Sequence, residues 1–366
     1  MNRRRYLFLL LFLCSIFSFP AAGCKAGAPP PEPAAENPHP GMNGDENLSH
    51  GSSGLLQDIS PFTGLPVEKV FNRPYAIIVE NERTARPQAG LQDAELVYEV
   101  PVEGGITRFL AFFCSPFKDD IGPVRSARPC FAYLAHEYDS FLAHCGYSVH
   151  TKAVLSDLSL KHINEIPHPL YFKRVKSRNM PHNLYTDLAR LTTGAERFNF
   201  LQGNPPSTFF SFIGTEQRKP AQPIFSILLN YNTHNQVEYR WNGPQKTYTR
   251  YNDGSPFIDS NHSKPVEVKN IIVQFVATRV FTEEGHLEIA LLGEGEGYFF
   301  SEGRIQKINW IKNSNNQRTR FMGADGEEIR LAPGNTWLHL LPQSGKVEWD
   351  EERHEDQNAG LREGNL

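Results

Sequence analysis

"AELVYEVPVEGGITRFLAFFC", residues 94–114, is the stretch whose reading decides the fold. Leu96, Tyr98, Val100 and Val102 fall on one side of an extended chain, and Glu95, Val97, Glu99 and Glu103 on the other. A period of two marks a strand. Gly104-Gly105 supplies a turn, and "TRFLAFFC" (107–114) follows as a second strand, so the stretch predicts a hairpin.

The neighbouring segments extend this pattern. Upstream, "PYAIIVEN" (74–81) reads as a buried strand entering a polar turn. Downstream, "PCFAYLAHEY" (129–138) has helical spacing, "SFLAHCGYS" (140–148) reads as a further strand, and "NLYTDLARLTT" (183–193) as a helix ending near Gly194. Residues 58–215 are therefore expected to form a mixed sheet with a few helices, and the polar, proline-containing stretch 202–223 marks a boundary. From Pro223 short strands alternate with Asn242-Gly243, Asp253-Gly254, Glu302-Gly303 and Asp325-Gly326, pairs suited to tight turns. Residues 222–345 read as a mostly antiparallel β-rich domain, and 346–366 as a polar tail. The expected class is α+β.

The first residues bear on the compartment. Arg3, Arg4 and Arg5 precede an apolar run over 7–19, shorter than the roughly 20 residues of a membrane-spanning helix. "PAAGC" follows, so residues 1–23 read as a secretory signal peptide. The small-small-Gly-Cys ending resembles the lipobox of bacterial lipoproteins, with Ala21 where leucine is usual. That resemblance implies cleavage after Gly23 and a lipid on Cys24, anchoring the chain on the outer face of the cell membrane. Residues 24–57, rich in Pro, Gly, Ser and Asn, read as a tether. Losing the three signal arginines takes the net charge from −4 to −7, which disfavours nucleic acid and anionic membrane as general partners. Past Cys24 only Cys114, Cys130 and Cys145 remain, too few for a disulfide scaffold.

"IGPVRSARP" (121–129) poses the functional question. Ser126 is a good N-cap and Pro129 is tolerated in a first turn, so a helix is expected from about Ala127. Arg125 and Arg128 would then both stand at its positive end, unfavourable by about 0.3–1 kcal/mol each unless an anion sits there. That anion is either the protein's own, from Glu99, Glu103, Asp119 or Asp120, or a ligand's carboxylate or phosphate.

Other residues offer chemistry with less support. Glu99 and Glu103 suggest a glycosidase pair, but four residues of strand is roughly 13 Å, against about 5–9.5 Å for such carboxyls. In "HCGYSVH" (144–150) adjacent strand residues point apart, so His144 is badly placed to activate Cys145, and a small buried thiol is the simpler reading. The histidines between His136 and His182 match no compact metal spacing, so neither metal nor cofactor is expected. In "RNMPHNLY" (178–185), His182 is a candidate base or ligand donor, and Asn183 is expected to cap the following helix.

Taken together, "RPYAIIVEN", "ARPQAGLQDAELVYEVPVEGGITRFLAFF", "IGPVRSARP" and "RNMPHNLYTDL" resemble the YerB-like lipoproteins, a bacterial family whose domains have no assigned function. "VKNIIVQ", "GEGYFFSEGRIQKINWIK" and "DGEEIRLAPGNTWLHLLP" extend the resemblance through the second half, to roughly residue 342. The family's tyrosine-aspartate pair near "EYRWNG" is absent, with Arg240-Trp241-Asn242 in its place. The resemblance implies a two-part exported lipoprotein. It nominates Arg86, Glu99, Glu103, Arg108, Arg125, Arg128, His182 and Asn183 as the polar centre of the first part.

The leading expectation is a lipid-anchored, non-catalytic envelope module that binds peptidoglycan or another envelope protein. Its arginines would receive an anion while Tyr98 and Tyr147 supply contact surface. Two alternatives stand beside it: an envelope hydrolase or transferase using Glu99 or Glu103 with His182, and a purely structural arginine–glutamate network.

Overall fold

Six consecutive buried residues form the first long strand, β1 (Tyr75–Glu80). In the computed structural model, which describes residues 57–213 and 223–351, the hairpin at 94–114 folds as its alternation predicts. β2 (Leu96–Pro101) runs antiparallel to β3 (Thr107–Phe113), with Leu96 opposite Phe112 and Val100 opposite Arg108. β3 also pairs antiparallel with β1. Then come α1 (Pro129–Glu137), β4 (Phe141–His144), α2 (Val149–Asp157), β5 (His162–Asn164) and α3 (Leu188–Arg197). β4 lies parallel to both β1 and β5, so α2 makes a parallel crossover.

The second half supplies β6 (Ser226–Asn232), β7 (Asn235–Asn242), β8 (Thr247–Asn252), β9 (Asn270–Val276), β10 (Gly293–Ser301), β11 (Arg304–Lys312), β12 (Arg320–Met322), β13 (Thr336–Pro342) and β14 (Lys346–Asp350). The α+β class holds, with few helices and a strand-rich, largely antiparallel second half. One ten-stranded sheet draws on both halves, in the order β12-β11-β10-β9-β13-β2-β3-β1-β4-β5. Its join is β13 parallel to β2, from Thr336 opposite Leu96 to His339 opposite Glu99. β8, β7, β6 and β14 form the body of a second, six-stranded sheet.

The period of two explains how the layers stack. Leu96, Tyr98 and Val100 share a core with Phe131 and Leu134 of α1 and Leu155 of α2. Val97, Phe109 and Trp337 point the other way and pack with Ile227, Val237 and Tyr239 of the second sheet. Both faces of the large sheet are thus covered, and each fully buried Leu or Val side chain contributes about 1.5–3 kcal/mol. Glu99 shares the second face, which buries its carboxylate between two sheets.

Several sequence expectations need correction. α1 begins at Pro129, not near Ala127, and its N-cap is Arg128 (φ −123°, ψ 161°), with no side-chain cap. A residue before proline is pushed out of the helical region, so Arg128 cannot join the helix. The helix expected over 183–193 is α3, five residues later, capped by Asp187, whose side chain accepts from the Arg190 amide. Asn183 instead accepts from Arg174 Nη1 at 3.0 Å. Residues 346–350 of the expected polar tail form β14, paired along β6. The signal peptide, Cys24, the tether up to residue 56 and the tail beyond 351 lie outside the described residues.

Candidate functional site

The carboxyl ends of the parallel strands β1, β4 and β5 carry Glu80, His144 and Asn164, and such strand ends are the customary place for ligands in parallel sheets. "IGPVRSARP" lies across them. Glu80 N donates to Pro123 O at 2.9 Å, Arg125 N to Ile78 O at 3.0 Å and Ala127 N to Gly146 O at 3.0 Å. The segment is therefore extended through Arg125–Arg128, and a spacing of three sends the two side chains to opposite sides. The expectation that both stand together on a helix is overturned.

Arg128 turns to Glu103, giving it Nε at 3.0 Å and Nη2, while its Nη1 donates to Ala127 O at 2.9 Å. Arg108 completes the group, donating to Glu103 Oε1 at 3.0 Å and to Ser126 O at 2.9 Å. Burial pushes the Glu103 carboxyl up, but the Arg128 hydrogen bonds and the Arg108 charge outweigh it and hold the group at about 2. These two arginines serve the protein's own carboxylate.

Arg125 faces the other way. Its Nε lies 2.9 Å from Oε1 of Glu80, whose side chain is 1% exposed. The contact is not aligned as a hydrogen bond, and neither Nη1 nor Nη2 hydrogen-bonds within the described residues. The second Glu80 oxygen accepts from His182 Nδ1 at 2.9 Å. His182 Nε2 meets the Thr84 hydroxyl at 3.1 Å and stands 3.7 Å from Glu82 Oε2. Farther along the segment, Gly146 lies beside Ser126 and Ile166, and Tyr147 bridges to Ala127. Tyr147 is 37% and Ile166 68% exposed, and Gly146 (φ +77°) takes the left-handed turn that brings β4's continuation back under Ser126.

The remaining nominated residues go elsewhere. Arg86 donates to Asp253 Oδ2 at 3.0 Å and Asn81 O at 3.1 Å, beside a cavity of about 300 Å³ shared with Arg83, Gly105 and His234. Glu99 is fully buried. It receives Arg250 Nη2 at 2.8 Å, Thr107 Oγ1 at 2.7 Å and Asn81 Nδ2 at 3.2 Å. Arg250 also lies over the Trp337 ring, 4.6 Å from its centroid. Next to it His339 is sandwiched between two tyrosine hydroxyls, Tyr231 on Nδ1 and Tyr239 on Nε2, each at 2.9 Å. Burial, then the Arg250 charge, pushes this imidazole far below its usual range. A neutral ring accepts from Tyr239 and donates to Tyr231, whose hydroxyl donates on to Glu99 O at 3.2 Å.

Neither Glu99 nor Glu103 is a partner of His182, so the expected acid/base pairs are not assembled. Tyr98 is fully buried and bonded to Tyr138, so it offers no contact surface. The thiols of Cys114, Cys130 and Cys145 are unpaired. Burial and the neighbouring Glu165 raise Cys145 to about 11, which keeps it protonated and weakly nucleophilic. One ligand atom each from Glu80, Glu82 and His182 lies within 4.8 Å of the others. Glu80 makes its shortest approach to Nδ1 of His182 and Glu82 to Nε2.

Glu80, Thr84, Arg250 and His339 escaped the sequence reading. Glu80 had a signal, being the one charge in the buried run "YAIIVE". Arg250 had one too: Tyr248, Arg250 and Asn252 alternate along β8 as its buried face.

The comparisons with known proteins can be set against this geometry. Residues 62–201 match the family model described as protein of unknown function (DUF3048) N-terminal domain, and 227–338 match its C-terminal domain. The chain is 33% identical over 291 residues to "Putative lipoprotein YerB" of Bacillus subtilis (strain 168), across 77% of this chain and 86% of that protein. It belongs to the YerB family. The crystal structure of YerB protein from Bacillus subtilis superposes with a TM-score of 0.71 at 31% identity, covering 80% of this chain and all of that one. The family match covers β2 and the start of β13, which join the two halves, and includes Glu80, Arg125 and His182.

Proposed function

We propose that this member of the YerB family is an envelope lipoprotein, anchored through Cys24 on the outer face of the cell membrane, which recognises an anionic group of cell-wall material. The observation that carries the reading is Arg125. Among the four nominated arginines it alone leaves both Nη groups without a hydrogen bond within the described residues. Glu80 fixes its Nε side, which orients the fork, and a guanidinium fork is suited to a carboxylate or phosphate oxygen pair. Tyr147, bridged to Ala127 two residues along from Arg125, is partly exposed and offers an aromatic surface for a sugar or peptide stem.

Wall peptides carry carboxylates and anionic wall polymers carry phosphates, so one guanidinium chemistry serves both. Co-sedimentation of the detergent-solubilised full chain with purified peptidoglycan, with and without its attached anionic polymer, tests the reading. Saturable binding is expected, and retention after polymer removal assigns the carboxylate. No binding to either preparation overturns the proposal. For the anchor, Cys24→Ala is expected to move the protein from the membrane to the soluble fraction.

A further inference from the structure

The Glu80 site holds more than a cation. Thr84 Oγ1 lies 3.1 Å from His182 Nε2, and His182 Nδ1 lies 2.9 Å from Glu80 Oε2. A hydroxyl, an imidazole and a carboxylate thus stand in series, each pair within hydrogen-bond reach. We propose that Thr84, His182 and Glu80 form an acyl-transfer centre acting on ester or amide carbonyls.

The roles follow from the atoms. The Glu80 carboxylate only accepts, so the proton of a neutral His182 sits on Nδ1, and Nε2 is left to accept from the Thr84 hydroxyl. This is the tautomer a hydroxyl nucleophile requires, set by a buried carboxylate that Arg125 holds from its other oxygen. Thr84 is exposed, in the short 3-10 turn Arg83–Ala85, whereas Glu80 is shielded. The nucleophile is open to a substrate and the orienting acid is not. When Nε2 takes the proton, the charge on the ring lies between Glu80 on one side and Glu82, at 3.7 Å, on the other.

In the first step Thr84 Oγ bonds to the carbonyl carbon and its proton passes to His182 Nε2. The bond from that carbon to the leaving nitrogen or oxygen then breaks, and the leaving group takes the proton from Nε2. Water next attacks the threonyl ester, its proton passing through the same nitrogen, and releases a carboxylic acid with Thr84 restored. An amine in place of water gives transfer rather than hydrolysis.

The inference does not rest on wall recognition, because it can be tested with a probe that carries no wall element. The folded full chain in detergent is incubated with a fluorophosphonate, and intact mass and peptide mapping locate the adduct. Thr84 Oγ bonds to phosphorus, the P–F bond breaks, fluoride leaves, and the proton goes to His182. A single adduct on Thr84 is expected, absent in Thr84→Val and faster in Thr84→Ser, which lacks the hindering methyl. His182→Gln is expected to slow it by at least about 100-fold, the lower bound for losing a positioned base. No adduct on folded wild type, or one that persists in Thr84→Val, overturns the proposal.

Discussion

Arg250 and Glu99 form an ion pair at 2.8 Å in which neither side chain is exposed, and they come from opposite halves of the chain. β2 brings the carboxylate and β8 the guanidinium, so the pair ties the large sheet to the second one. Removing one partner strands a buried charge, at a cost of about 3–5 kcal/mol. Arg250→Met is expected to lower the unfolding free energy by that amount in urea denaturation. Glu99→Leu combined with Arg250→Met should recover most of it. A double variant as unstable as the single one would show that packing around the pair matters more than its charge.

The Glu103 cluster sets an acid limit. Unfolded, this carboxyl titrates near 4.3. Folded, it stays ionised down to about 2. Between those values the unfolded chain binds the extra proton, so its stabilising contribution is complete above about pH 4.3 and is lost as pH falls toward 2. The gap in melting temperature between wild type and Glu103→Gln should therefore be widest at pH 6 and narrow steadily below about pH 4.

His144 acts in a higher window. Gly146 O, at 2.9 Å, can only accept, so it takes the Nδ1 proton, and Nε2 accepts from His162 Nδ1 at 3.1 Å. Burial, then the neighbouring His162, lowers His144 to about 3. The unfolded imidazole protonates near 6.5, so stability falls as pH drops from there toward 3. His144→Asn should flatten the change in urea midpoint between pH 7 and pH 5. An unchanged slope would move the effect to other groups.

Arg125 and Arg128 separate stability from recognition differently. Arg125→Ala leaves the buried Glu80 carboxylate with His182 alone, and about 1–3 kcal/mol is expected to be lost. Arg125→Lys restores a cation to Glu80 and should recover much of that in thermal melts, without restoring the fork.

The sequence made the sheets legible because their residues obey a period of two: Leu96, Tyr98 and Val100 against Val97 and Glu99 along β2. Turn pairs such as Asp253-Gly254 showed where the strands reverse. The arginine site was misread for a local reason. Ser126 and Pro129 are helix-start residues, yet the restriction on the residue before proline keeps Arg128 extended and parts the two guanidinium groups. The Glu99–Arg250 pair was unreadable for a different one. Its members are 151 residues apart and meet where the second sheet packs on the face of the large one that carries Glu99. Likewise, nothing local in "NERT" or "MPHN" foretells that Thr84 and His182 adjoin, 98 residues apart.

The most direct test of the central claim is the fraction of full-length protein bound to purified peptidoglycan for wild type, Arg125→Lys and Arg128→Lys, each confirmed folded. Arg125→Lys should lose binding at least about tenfold, the equivalent of about 1.4 kcal/mol, while Arg128→Lys, whose position is committed to Glu103, should bind like wild type. Equal binding by all three, or loss confined to Arg128→Lys, would contradict the assignment of Arg125 as the residue that meets the ligand.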